Sequence, residues 1–168
     1  FPGLADGAYP RSNLLLINGE LYGTTYGGGD DSINGCVDIG CGTVFKLSPT
    51  SFGPWKLTVL HTFSGNNGSA YPLSGLTADA AGNLYGTTSF GGGTVYKLTK
   101  PASANGTWGF TVLHSFSGGN DGAFPLGTLL VGPNGSLYGT ASEGGAFDYG
   151  TVFKMTPTGG SYGFTLLR

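Results

Sequence analysis

The stretch that decides the fold is Gly82-Asn83-Leu84-Tyr85-Gly86-Thr87-Thr88, followed at residues 93–98 by Gly-Thr-Val-Tyr-Lys-Leu. Two short runs of β-branched, aromatic and apolar residues, parted by glycines, read as a pair of β-strands. Leu-Tyr-Gly-Thr recurs at residues 21–24 and 137–140, and Gly-Thr-Val-aromatic-Lys at 42–46 and 150–154. A further run follows each time: Thr58-Val59-Leu60-His61, Thr111-Val112-Leu113-His114 and Thr165-Leu166-Leu167-Arg168. His61 to Pro72 and His114 to Pro125 are both eleven residues, and Pro72 to Leu84 and Pro125 to Leu137 are both twelve. Self-similarity on a fixed ruler is the mark of a repeat architecture.

Each repeat carries four strand signals. In the middle copy they are residues 75–79 (a), 84–88 (b), 93–98 (c) and 110–116 (d). The a–b turns hold Asn18-Gly19, Gly82-Asn83 and Asn134-Gly135, residues that accept positive φ in tight hairpins. No window shows helical periodicity. A four-stranded antiparallel unit of roughly 50 residues repeated in tandem predicts an all-β fold, a β-propeller with three blades per chain. The repeats run from about 10 to 63, 72 to 116 and 125 to 168, with residues 1–9 continuing the loop from strand d to strand a. Asp6-Gly7-Ala8-Tyr9-Pro10 matches Asp121-Gly122-Ala123-Phe124-Pro125, which sets Phe1 on the positions of Phe63 and Phe116. Propellers close with about 4–8 blades. The expectation is therefore a homodimer whose two chains complete one six-bladed ring, with a longer parent propeller as the alternative.

Composition narrows the function classes. Glycine fills 34 of 168 positions and charged residues only 10%, against roughly 7% and 25% in ordinary domains. A coiled coil or helical bundle is excluded. With 39% hydrophobic and 13% aromatic residues the chain has material for a core, unlike a disordered segment. Seven Lys and Arg scattered singly leave no nucleic-acid footprint. The longest aliphatic run, residues 14–17, is too short for a membrane span. No cofactor fingerprint is present.

The pattern at residues 82–88, 91–92 and 93–98, with looser versions at 19–47 and 135–155, resembles the GloVer tandem repeat over essentially the whole chain. The resemblance implies a propeller-like, secreted or cell-surface protein, and it brings no catalytic residues with it. Cys36 and Cys41, the only cysteines, stand with four residues between them in the b–c loop of the first repeat. The oxidising setting that the resemblance implies favours a disulfide between them.

Strand arithmetic puts the a–b and c–d turns at one end of each sheet and the b–c and d–a loops at the other. The b–c loops differ most: Leu84 to Thr94 is ten residues, Leu137 to Thr151 fourteen and Leu21 to Thr43 twenty-two. Variable loops on a rigid scaffold are where binding residues collect. The ligand-binding candidates on that end are Tyr26, Asp30, Asp31, Phe90, Asn120, Asp121, Phe147 and Tyr149. Aromatic faces stack on sugar rings while Asp and Asn bond hydroxyls, so a glycan is the expected ligand. Asp30, Asp31 and Asp38 are weak calcium candidates, since their spacing matches no EF-hand loop. Tyr22, Tyr85 and Tyr138, and the glycines after them, occur in every repeat and read as scaffold. The Tyr is expected to pack between blades and the Gly to permit close backbone approach.

Catalytic patterns are weak. Gly159-Gly160-Ser161-Tyr162-Gly163 fits the serine-hydrolase string, but the motif needs a strand-to-helix elbow and here it is the c–d hairpin. His61 and His114 share one repeat position, which argues for packing. The expectation is a non-catalytic extracellular binding module. A structural or protein-interaction scaffold is the alternative, and a hydrolase or lyase the less favoured third reading.

Overall fold

The computed structural model describes residues 4–29, 36, 38–66, 69–104 and 106–168. Among these residues are thirteen strands and no α-helix, only single 3-10 turns. β1 (Ala8–Pro10), β2 (Leu15–Ile17), β3 (Glu20–Gly27), β4 (Thr43–Ser48) and β5 (Lys56–Thr62) make the first sheet. β6 (Thr77–Ala78), β7 (Leu84–Thr88), β8 (Thr94–Thr99) and β9 (Gly109–Ser115) make the second. β10 (Leu130–Val131), β11 (Leu137–Ala141), β12 (Thr151–Pro157) and β13 (Tyr162–Leu166) make the third. Every pairing is antiparallel between neighbours in sequence, apart from β1, which reaches past β2 to pair with β3.

The first sheet departs from the expected loop at residues 1–9. Ala8–Pro10 is a strand on the outer half of β3, with Pro10 opposite Thr25, while β2 takes the inner half, with Leu15 opposite Tyr22. The same segment recurs in the other sheets: Ala123 bridges Glu143, and the Ser89 N–H donates to the Ala70 carbonyl. The β2–β3 hairpin turns on Asn18 (φ 51°) and Gly19 (φ 81°), and the third sheet repeats this with Asn134 and Gly135.

The repeated glycine has a different reason from the one expected. Gly23, Gly86 and Gly139 stand directly opposite Phe45, Tyr96 and Phe153 on the next strand. A Cβ there would lie 2.7, 2.4 and 2.4 Å from the tip of that ring. The glycine gives each cross-strand aromatic a flat seat. Phe45, Tyr96 and Phe153 are accordingly among the most buried side chains.

Successive sheets pack face to face by one recipe. Phe63 meets Tyr96 and Phe110 of the second sheet, and Phe116 meets Phe153 and Phe164 of the third. His61 stacks on Phe110 and His114 on Phe164, both at 4.1 Å. Tyr22 meets Trp108 edge-on at 6.4 Å, and Tyr85 meets Tyr162 at 6.3 Å. Tyr22 and Tyr85 thus do pack between sheets, while Tyr138 lies under Lys154 of its own sheet. Pro72 and Pro125 sit against Gly42 and Gly93 of the preceding sheet. The Thr24 hydroxyl donates to the Ser74 carbonyl, and the Thr87 hydroxyl to that of Pro125. Burying Phe63 and Phe116 alone contributes about 2 kcal/mol each.

Candidate functional site

Where β3 and β7 run out, the loop end of the first two sheets gathers an aromatic cluster. The Arg11 guanidinium lies 4.8 Å over the Tyr26 ring. Tyr26 stacks on Tyr71 at 4.8 Å with 24° between planes, and Tyr71 meets Phe90 edge-on at 5.7 Å. All three rings are half-buried and Arg11 is exposed. Burial and the neighbouring Tyr26 raise the pKa of Tyr71. The arrangement is a stepped apolar wall with a cationic donor at its edge, suited to an uncharged, hydroxylated ring stacked against aromatic carbon.

Tyr71 was not among the candidates read from sequence, nor were its counterparts Tyr9 and Phe124. All three take left-handed backbone, with φ of 59°, 57° and 53°, where bulky residues are uncommon. Their placement has a local cause. The N–H of Tyr71 donates to the Cys41 carbonyl and that of Phe124 to the Gly92 carbonyl, each on the preceding sheet. The repeated triplet Ala-aromatic-Pro was the available signal.

The other candidates divide. Phe147 and Tyr149 are 83% and 93% exposed on the β11–β12 loop. They rim a groove of about 590 Å3 that also includes Thr140, Val152, Leu166 and Arg168. They are thus grouped with each other, apart from Tyr26 and Phe90. Asp121 is engaged locally. It accepts from the Ser117 N–H and hydroxyl, and its Oδ2 lies 3.1 Å from His114 Nε2. Partial burial works the other way, but the hydrogen bonds from Ser117 and His114 hold its carboxyl below the ordinary range. Asn120 is exposed beside it. Asp30 and Asp31 lie outside the described residues.

Of the calcium candidates only Asp38 is described, exposed at φ 77°. Among the described residues no three His, Cys, Asp or Glu side chains stand together as a metal site. Cys36 and Cys41 are bonded to each other and fully buried. Ser161 lies in the β12–β13 turn with its hydroxyl 2.9 Å from that of Thr158, and no elbow presents it.

A second recess, of about 440 Å3, lies at the opposite end and is lined by Glu20, Tyr22, Lys46, Lys100 and Trp108 among others. Glu20 accepts from Lys46 Nζ and Ser48 Oγ at 2.7 Å and from the Tyr22 hydroxyl at 2.9 Å. Partial burial opposes ionisation here, yet those hydrogen bonds hold the Glu20 carboxyl below its usual value. Burial, with Glu20 as acceptor, pushes the Tyr22 hydroxyl up to about 12. With Glu20 accepting from Tyr22 of its own strand and from Lys46 and Ser48 of the next, this network reads as a sheet-edge clamp.

The Gloeobacter/Verrucomicrobia repeat matches residues 32–167. The chain belongs to that family. No curated protein matches it significantly. The matched span of this Gloeobacter/Verrucomicrobia repeat protein covers the second and third sheets, β4 and β5. The seats at Gly86 and Gly139 and the interlocking Pro72 and Pro125 all fall within it. No helix among the described residues is long and apolar enough to cross a membrane.

Proposed function

We propose that the chain is a non-catalytic, extracellular β-propeller binding module that takes glycans on its loop face, with a second copy completing its ring. The observation that carries this reading is the Arg11–Tyr26–Tyr71–Phe90 wall. Aromatic rings held at left-handed φ in every repeat, at Tyr9, Tyr71 and Phe124, supply the second support. Backbone strain of this kind persists where the surroundings fix it and tends to mark binding surfaces. Shallow sites repeated around one face give weak individual affinity and useful avidity. The Cys36–Cys41 bond agrees with an oxidising compartment.

The test is a glycan array followed by titration calorimetry on the best ligand. Tyr26→Ala, which removes the ring under Arg11, is expected to weaken binding at least tenfold while the denaturation midpoint stays near wild type. Binding to no glycan on a broad array would refute the reading. A protein captured reproducibly in its place would favour the interaction scaffold, which the exposed Phe147 and Tyr149 support.

A further inference from the structure

Trp108 borders two polar recesses at the turn end of the junction between the first and second sheets. The recess of Glu20, Tyr22 and Lys46 also takes in Lys100. Another, likewise of about 440 Å3, is lined by Lys46, Ser48, Lys56, Thr58 and Thr107. Lys46, Ala104 and Trp108 belong to both, so the two are adjoining halves of one trough. Each half has the volume of a small-ligand site. Trp108 is half-buried and held edge-on against Tyr22 at 6.4 Å.

The trough is cationic in a chain whose net charge is −2. Three of the seven Lys and Arg line it, Lys46, Lys56 and Lys100, against the single carboxylate of Glu20. Glu20 is already neutralised by Lys46 at 2.7 Å. Lys56 and Lys100 are exposed and form no ion pair among the described residues. The junction between the second and third sheets supplies the comparison. Its recess is about 220 Å3, with Lys97 as its one cation and Tyr162 in the place of Trp108. Gly109 and Pro157 stand where the first junction has Lys56 and Lys100. A junction thus forms without either lysine and without the indole, so packing between sheets does not account for them.

We propose that this trough binds an acidic saccharide, a short run of sugars carrying carboxylate or sulfate groups. A sugar ring rests on the indole of Trp108. Lys56 meets an acidic group in one half of the trough and Lys100 meets another in the second half, while Lys46 stays on Glu20. The hydroxyls of Ser48, Thr58 and Thr107 both donate and accept, which suits sugar hydroxyls. An uncharged glycan would leave the two lysines unused. A nucleic-acid strand matches the charge but stacks on a series of aromatic platforms, and here Trp108 is the one ring open to a ligand between the lysines. The site lies at the other end of the sheets from the Arg11–Tyr26–Tyr71–Phe90 wall, and neither reading depends on the other.

Fluorescence titration of the full chain tests it, with Trp55→Phe leaving Trp108 as the sole tryptophan. The probes are a galacturonate tetramer and a sulfated galactose tetramer, which tell carboxylate from sulfate. The methyl-esterified galacturonate tetramer is the uncharged control. A saturable change in Trp108 emission with at least one acidic probe is expected, and binding of the ester at least tenfold weaker. Lys56→Ala and Lys100→Ala, both at exposed positions, are each expected to weaken binding about fivefold. Trp108→Ala, read by calorimetry, is expected to weaken it at least tenfold. Lys154→Ala on the third sheet removes the same charge and is expected to leave the affinity unchanged. Far-ultraviolet circular dichroism checks the fold of Trp108→Ala, and the two lysine variants carry the test if it unfolds. Binding of neither acidic probe overturns the proposal, as does an ester that binds as tightly as the acid. Equal losses in Lys56→Ala and Lys154→Ala would reduce the effect to net charge and overturn it too. So would oligothymidylate or polyaspartate of equal charge binding as tightly as the better tetramer.

Discussion

His61 makes the stability of the first junction depend on pH in a window that no carboxylate shares. Its ring stacks on Phe110 at 4.1 Å with 8° between planes and meets Phe63 edge-on at 4.9 Å. Burial lowers its pKa from 6.5 to about 4. The folded protein therefore holds it neutral down to about pH 4, while the unfolded chain takes up a proton near pH 6.5. Between those values the unfolded state binds more protons, so stability is full above pH 6.5 and falls as the pH drops. The gap corresponds to about 3 kcal/mol when fully developed near pH 4, and about 2 kcal/mol of it has appeared by pH 5.

The assay is urea unfolding at pH 7 and pH 5, followed by tryptophan fluorescence, since Trp108 sits at the same junction. The comparison is with His61→Phe, which keeps a ring on Phe110 and cannot take a proton. Wild type is expected to lose about 2 kcal/mol more than the variant between the two pH values. Glu20, Asp79 and Asp121, all held below their ordinary values by hydrogen bonds, lose their contribution at lower pH and do so equally in both proteins. Parallel stability profiles for wild type and His61→Phe would refute the reasoning.

Two further outcomes follow from the core. The Tyr96 hydroxyl is fully buried with no hydrogen-bond partner among the described residues, and its counterparts are Phe45 and Phe153; Tyr96→Phe is expected to raise the urea midpoint, by about 1 kcal/mol of stability, and a lowered midpoint would contradict this. Cys36→Ala with Cys41→Ala opens a short buried ring and is expected to cost about 2 kcal/mol on the loop-entropy estimate, read as the difference between oxidised wild type and the double variant.

Strand positions were legible because three copies of one pattern averaged out local ambiguity: the expected 84–88 is β7, and 93–98 and 110–116 fall within a residue of β8 and β9. The purpose of Gly86 was not, because its reason lies across the sheet. Only the register that sets Gly86 opposite Tyr96 shows that a ring, and not a backbone, needs the space. Asp121 looked like a ligand because a carboxylate on a loop is ambiguous in one dimension. In three it closes its own turn through Ser117 and His114. Tyr71 did not stand out because its position recurs as Tyr9 and Phe124, and nothing in one dimension sets one copy apart.

That omission shows what repetition does and does not separate. A residue kept in every sheet serves something every sheet does, and in three equivalent sheets that includes presenting one side chain each in the same way. Tyr9, Tyr71 and Phe124 share left-handed backbone, so each ring is aimed by the same local geometry. Tyr71 alone is stacked by Tyr26, because the first sheet carries the long disulfide-closed loop and the second and third carry Ser89 and Ser142 at that position. Shared aromatics thus set a repeated platform, and the unshared loop residues decide how each copy of it is dressed. A ligand that reads the platform would bind all three sheets alike. One that needs Arg11 and Tyr26 would bind only at the first junction, so a stoichiometry of one per chain would assign recognition to the loop, and three to the platform.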